Sequence, residues 1–342
     1  MRTRFLTPPT VFVLAAVLAV ASFAPATAAG QGAPAKAAPA KAKTWTPPRT
    51  PDGQPDLQGT WTNATITPFE RPRELAGKAV LTEEEAAALE RQAAERRETA
   101  DERPLRPGDV GNYNDFWFDS GTKVVSTRQT SLVVDPPDGR VPLTAAGEKR
   151  RDFNLTNMDS FETMSPWDRC ITRGPGRMFP AGYNNAYQIV QTPGYVMILH
   201  EMIHEARIIP LDGRPHVGKG VRMWTGDPRG RWDGNTLVVE TTNFNDKGWI
   251  ATNGASARIR GVPHSDALRL VERFTRTDAN TINYQVTIED PNVFSSPWTV
   301  AIPLVRDDRY QIFEYACHEG NKAIEHVLSG ARAAERAGTE KK

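Results

Sequence analysis

Residues 195–209 read YVMILHEMIHEARII, and their conformation decides the fold of the second half of the chain. Within them His200-Glu201-Met202-Ile203-His204 spells the H-E-x-x-H of zinc peptidases. On a helix, residues four apart share a face with Cβ atoms about 6 Å apart, near enough to hold one ion. On a strand they also share a face, but they stand about 13 Å apart, too far for one zinc. The absence of Gly and Pro before Pro210 suits a helix. Pro193-Gly194, a turn dipeptide between β-rich runs, and four isoleucines with a valine suit a strand. Glu205 puts a charge directly after the second His, where the peptidase pattern wants an uncharged residue. Pro210 occupies the place of a metzincin third ligand. An extended segment is therefore expected, with Val196, Ile198, His200, Met202, His204, Ala206 and Ile208 on one face. Glu201, Glu205 and Arg207 face the other way. No metal is expected; zinc on His200 and His204, with a metallopeptidase activity, is the alternative.

Outward from this stretch, the C-terminal half reads as hairpins. "AYQIVQT" and "YVMILHE" flank Pro193-Gly194, and "GRW" and "TLVVETTNF" flank Asp233-Gly234-Asn235. "LRLVERFTRT" and "INYQVTIED" flank Asp278-Ala279-Asn280, and "WTVAIPLV" and "YQIFEYA" flank 306–309. Strands joined to their neighbours by short turns predict a mainly β fold. The expected architecture is an antiparallel up-and-down meander over 187–320, forming a barrel or a strongly curled sheet. Two or three peripheral helices complete it. Thr82 with Glu85 forms a capping box ahead of an Ala/Glu/Arg helix, "AAGEKRRDFNL" is a second helix, and 321–342 carries a C-terminal helix and tail. Residues 55–186 are expected to pack on the barrel as short strands, a surface helix and loops.

The N-terminus reads as a secretory signal over 1–28: a basic "MRTR", an apolar "VFVLAAVLAVASFA" and the small residues Ala26-Thr27-Ala28. Residues 29–54, rich in Ala, Pro and Lys, read as a disordered linker. A periplasmic or secreted protein follows from this reading, with no stable membrane span once the signal is removed. Net charge is +1 without a basic block, which argues against nucleic acid as partner. The two cysteines, Cys170 and Cys317, read as one long-range disulfide in an oxidising compartment; two separate buried thiols are the alternative.

"PDLQGTW", "RIIPLDGRPH", "GRWDGNTLVVETTNF", "HSDALRLVERFTRTD", "TIEDPNVFSSPW" and "YACHEGN" occur in that order over 49–332. These blocks resemble a large uncharacterised family of exported bacterial β-rich proteins. The resemblance implies an exported β-rich domain and brings no assigned reaction; many members carry an aromatic residue in place of His200. Gly59-Thr60-Trp61 ahead of a strand meander is also similar to lipocalins, in shape only.

Imidazoles paired with carboxylates suit acid/base chemistry, because one group takes a proton while another returns it. His204, His264, Asp266 and Glu272 are the candidate catalytic residues. Glu272 falls on the apolar face of its strand with Leu268, Leu270 and Phe274. Burial there would raise its pKa, unless an arginine inside the barrel pairs with it. His200, Arg214, His216, Asp290 and Trp224 are the candidate ligand contacts, Arg214 and His216 within the turn Asp212-Gly213-Arg214-Pro215-His216. Trp224, Trp232, Trp249 and Trp298 could line a pocket or fill a core. "GASAR" at 254–258 fails G-x-S-x-G at its last position, and no phosphate loop, dinucleotide fingerprint or CxxC is present. The expected function is binding of a small, partly apolar molecule in the barrel interior or mouth, with lyase, isomerase or hydrolase chemistry as an extension. A non-catalytic envelope protein is the remaining alternative.

Overall fold

The computed structural model describes residues 45–99, 118–157, 159–175, 178–203 and 205–339. The signal segment, His204 and Asp115 to Trp117 of "DFWFDSG" lie outside the described residues, as does the linker up to residue 44. The chain divides into two units, 1–44 and 45–342. Packing thus begins earlier than the linker boundary expected at residue 54. Thr50 N–H donates to Gln54 O at 2.9 Å, Arg49 reaches Gly53 O and Asn235, and Trp45 lies against Arg276.

The second unit is a nearly closed antiparallel barrel-like sheet, as the hairpin pattern predicts. Its strands are β1 (Gly59–Thr62), β2 (Val133–Asp135), β3 (Ala186–Thr192), β4 (Tyr195–His200), β5 (Ala206–Pro210), β6 (Asp227–Asp233), β7 (Thr236–Thr242), β8 (Arg269–Asp278), β9 (Thr281–Glu289) and β10 (Trp298–Arg306). The order around the sheet is β5-β4-β3-β1-β10-β9-β8-β7-β6, with β2 also on β10. Two meanders, 3-4-5 and 6 to 10, are therefore joined through the four residues of β1. Trp61 faces Tyr187 on one side and Arg306 on the other. β1 was expected to pack on the barrel; it is a member of it.

The two free edges, β5 and β6, meet through side chains. A Cβ on Gly230 would stand 2.6 Å from Leu211 Cδ2 and 2.7 Å from Ile209 Cγ2, so glycine is what lets the edges approach. The chain after β5 runs back along β6: Arg229 Nε donates to Pro215 O at 3.0 Å, and Val217 N–H to Asp227 Oδ2 at 2.9 Å.

The stretch 195–209 is a β-hairpin and not a helix. Ile198 pairs with Arg207 and Leu199 with Ala206, across a turn that begins at 201–203. The register exchanges odd for even positions. Val196, Ile198 and His200 are buried on β4, but on β5 the buried residues are Arg207 and Ile209, while Ala206 and Ile208 are exposed. The single continuous face expected from Val196 to Ile208 therefore breaks at the turn.

Strands β8 and β9 follow their alternation. Leu270, Glu272 and Phe274 face inward opposite Ile288, Val286 and Tyr284. With Trp61, Tyr187, Ile198, Ile209, Val239, Ile302 and Leu304, these side chains fill the interior. Trp61 plugs the end bearing the short turns. Its ring lies between Arg276 at 5.6 Å and Arg306 at 5.7 Å, and its Nε1–H donates to Leu57 O.

The expected strand over 310–316 is absent; β10 ends at Arg306 and the chain continues irregularly to α3 (Ala323–Thr339). Glu201 holds this segment, accepting from Tyr310 Oη at 2.8 and 3.0 Å and from Phe313 N–H at 3.0 Å. A long-range carboxylate outweighs the local alternation there. Helix α1 (Glu83–Glu98) carries the full Thr82/Glu85 capping box, and α2 (Ala145–Thr156) is capped by Thr144. Cys170 and Cys317, 147 residues apart, form a disulfide with Cα atoms 5.7 Å apart. It ties the 159–175 loop to the irregular C-terminal segment, rather than to a strand.

Candidate functional site

Antiparallel strands send alternate connections to opposite ends of a barrel. The turns at 193–194, 234–235 and 279–280 are short and lie at the Trp61 end. The long connections, 243–268 and 290–297, lie at the other end with α2 and the loop before Cys170. Between them is a cleft of about 630 Å³. Trp224, Trp249 and Phe161 supply its aromatic walls, Arg150, Arg169 and Lys247 its cations, Glu162 and Asp246 its acids, and His264 lies at its base.

Each wall has a local cause. Trp224 is set by Met223, whose N–H donates to Asn243 O and whose carbonyl accepts from Asn245 N–H, both at 2.9 Å. Asp290, nearly fully buried, staples the loop after His264 to the β9–β10 connection. It accepts from Ser265 N–H at 2.6 Å, Ser265 Oγ at 2.8 Å and Asn292 N–H at 3.2 Å. Three donors to one carboxylate make a strong local clamp. Asp266 turns outward and pairs with Arg222.

His264 is 2 % exposed and packs edge-on against Phe244 at 5.7 Å. Its Nδ1 is 3.3 Å from Ser265 O, so Nδ1–H donates and Nε2 carries the lone pair. A Cβ on Gly248 would stand 2.0 Å from Nε2, so only glycine leaves room for the ring. Burial lowers the His264 pKa below its ordinary 6.5, partly offset by the Ser265 carbonyl and Asp290, and the ring is neutral at pH 7.

Arg169 precedes Cys170 of the disulfide, and its guanidinium lies 5.6 Å from the Phe161 ring and 5.7 Å from the Trp224 ring. No ion pair and no side-chain hydrogen bond holds it among the described residues. Burial lowers its pKa, and the nearby Glu162 charge opposes that.

The remaining residues singled out from sequence lie elsewhere. Glu272 is inside the barrel, where Arg207 takes both its oxygens, Oε1 at 2.8 Å, and Tyr284 Oη donates to Oε1 at 3.1 Å. Arg207 also donates to Thr241 Oγ1 at 2.7 Å. Burial alone would lower the Arg207 pKa, but the Glu272 charge and hydrogen bonds hold it above its ordinary value. Burial, then the Glu272 charge, raises Tyr284 well above the usual phenol. His200 is buried at the end of β4, edge-on to Tyr187 at 5.2 Å. Arg214 is exposed; it forks onto Asp212, whose pKa its hydrogen bonds hold down at about 2, and it lies over Tyr195. His216 Nδ1 is 3.1 Å from Asp227 Oδ2. Trp298 is in the core and Trp232 packs against it.

The structure therefore brings His264 and Trp224 to one cleft, with Asp290 beneath, and leaves Glu272, Arg214 and His216 apart from it. Arg169, Arg150, Phe161 and Lys247 were not singled out from sequence. The available signal was the crowding of Phe161, Trp167 and Arg169 just ahead of Cys170. Residues 195–209 form a hairpin, so the helix on which H-E-x-x-H presents two imidazoles from one face is not formed; His204 itself lies outside the described residues. Glu201, the motif's would-be base, is held by Tyr310 and Phe313 instead. Among the described residues no helix is long and apolar enough to cross a membrane. Neither a family model, a curated protein nor a solved structure matches the chain.

Proposed function

We propose that this is an exported protein that binds a small, partly apolar molecule, and that the cleft at the barrel mouth is where it does so. One observation carries the reading. The barrel interior is filled by its own side chains, whereas the mouth keeps an opening of about 630 Å³ lined by Trp224, Trp249, Phe161 and unspent polar groups. Concave sites with apolar walls and a few convergent polar groups are what small ligands occupy. The supporting argument for export is the signal-like N-terminus together with a disulfide. Joint acid/base action by His204, His264 and Glu272 is not part of this reading, because Glu272 is committed to Arg207 in the core.

The test is a thermal-shift panel of phenolics, terpenoids and sugar derivatives on the mature protein. A ligand at 100 times its Kd stabilises the folded state by about 2.7 kcal/mol, enough to move Tm by several degrees. At least one class is expected to do so, and Trp224→Ala should abolish the shift while the protein stays folded. A ligand whose shift survives Trp224→Ala, or no shift from any class, ends the proposal.

A further inference from the structure

Arg169 has the environment of a group awaiting a counter-ion. It is half-buried, its guanidinium lies against the Phe161 and Trp224 rings, and its five N–H donors reach no acceptor among the described residues. Stacking engages the flat faces of a guanidinium and leaves its in-plane edge, the edge that forks onto a carboxylate. Two other arginines drawn out of bulk water have that edge filled. Arg207 forks onto Glu272, and Arg258 reaches Glu70 at 2.7 and 2.9 Å and Glu148 at 3.1 Å. Arg150, also on the cleft wall, likewise makes no ion pair among the described residues, and its guanidinium lies 5.1 Å from the Phe153 ring.

The charges of the lining give a sign. Arg150, Arg169 and Lys247 stand against Glu162 and Asp246, while His264 is buried and neutral, which leaves an excess of one positive charge. Trp224 and Trp249 supply flat apolar surface beside that charge. A neutral apolar ligand would leave the partly desolvated Arg169 uncompensated, and a cation would meet repulsion.

We infer that the ligand is a small aromatic monocarboxylate, its ring against Trp224 and Trp249 and its carboxylate on the edge of Arg169, with Arg150 as a second cation at the rim. This inference rests on the cleft being the binding site, and it assigns that site a chemical class.

The experiment measures quenching of tryptophan fluorescence by 2-naphthoate, by its neutral isostere 2-naphthamide and by 2-naphthyl phosphate, on the wild-type protein and on Arg169→Gln, Arg150→Gln and Trp224→Ala. Circular dichroism first confirms that each variant is folded. Naphthoate is expected to bind about tenfold or more tightly than the amide, as a charge-assisted pair predicts. Arg169→Gln should bring acid and amide to within about twofold, and Arg150→Gln should weaken the acid by a smaller factor. Should Arg169→Gln fail to fold, the acid-to-amide ratio and its response to Arg150→Gln carry the same test.

An amide that binds as well as the acid overturns the inference, as does an acid preference that survives Arg169→Gln. A phosphate ester that outbinds the acid overturns the choice of carboxylate. If no naphthyl probe binds while a neutral ligand from the wider panel stabilises the protein in a Trp224-dependent way, this inference alone falls. If that panel is also silent, the cleft reading falls with it.

Discussion

The guanidinium of Arg207 lies inside the barrel between Glu272 and Thr241, whereas that of Arg169 stands at the mouth against two aromatic rings with no carboxylate on its edge. Both have lost water. Inside the barrel the chain has supplied its own counter-ion, a phenol for the carboxylate and a hydroxyl for the guanidinium, so that the network is closed. A closed network fixes the register of β5, β7 and β8 and has no capacity left for a substrate. At the mouth the chain has supplied aromatic faces and left the hydrogen-bonding edge unspent. The difference separates a charge that serves the fold from a charge that can serve a ligand, and it does so within one molecule and one residue type.

The comparison can be broken most forcefully at Arg207. Arg207→Ala leaves Glu272 buried without its partner, and about 3–5 kcal/mol should be lost in urea unfolding. The double variant Arg207→Met/Glu272→Leu should recover most of that, because it removes both charges. If the single variant costs nothing, the interior pair is not what holds the strands in register. Opening the disulfide sharpens the mouth side. Cys170→Ser with Cys317→Ser should lower stability by up to about 5 kcal/mol, given the 147 residues enclosed. It should also weaken ligand binding, since Arg169 adjoins Cys170; unchanged affinity would show that the loop holds Arg169 without the crosslink.

The smallest effect is a pH slope. Burial depresses His264 below its ordinary 6.5, so the unfolded chain takes up the proton first, and stability is lost as pH falls below about 6.5. Denaturant midpoints taken between about pH 7 and pH 5 should fall more steeply in the wild type than in His264→Asn. Asp119 and Asp168, which burial raises above the ordinary 3.8, act with opposite sign at lower pH, since the folded state binds their protons more tightly. A His264→Asn slope identical to the wild type would mean that the imidazole is not sealed.

What could be read from residues alone was whatever short-range chemistry decides. Thr82 and Glu85 cap α1, Asp233-Gly234-Asn235 and Asp278-Ala279-Asn280 turn their hairpins, and the inward placement of Glu272 follows from strand alternation. What could not be read was decided by partners far along the chain. Tyr310 alternates like a strand residue, yet its hydroxyl is drawn to Glu201, and the expected strand does not form. Residues 195–209 have strand composition throughout, but Ile203 adopts a left-handed φ of 60°, in the turn that reverses which face of β5 is buried. Of the cleft, Trp224 and His264 were visible as residue types. Arg169 was not, because its role depends on rings brought to it by other segments.

β1 has one further consequence, for the order in which the molecule can be made. Gly59 to Thr62 are made before every other described strand, yet one of their two neighbours, β10, is the last of the described strands. Until residue 306 has emerged, the short strand that joins the two sheets has only half its partners. Completion of the barrel waits until β10 has been made, and a chain cut short before β10 would hold two unjoined half-sheets with raw edges.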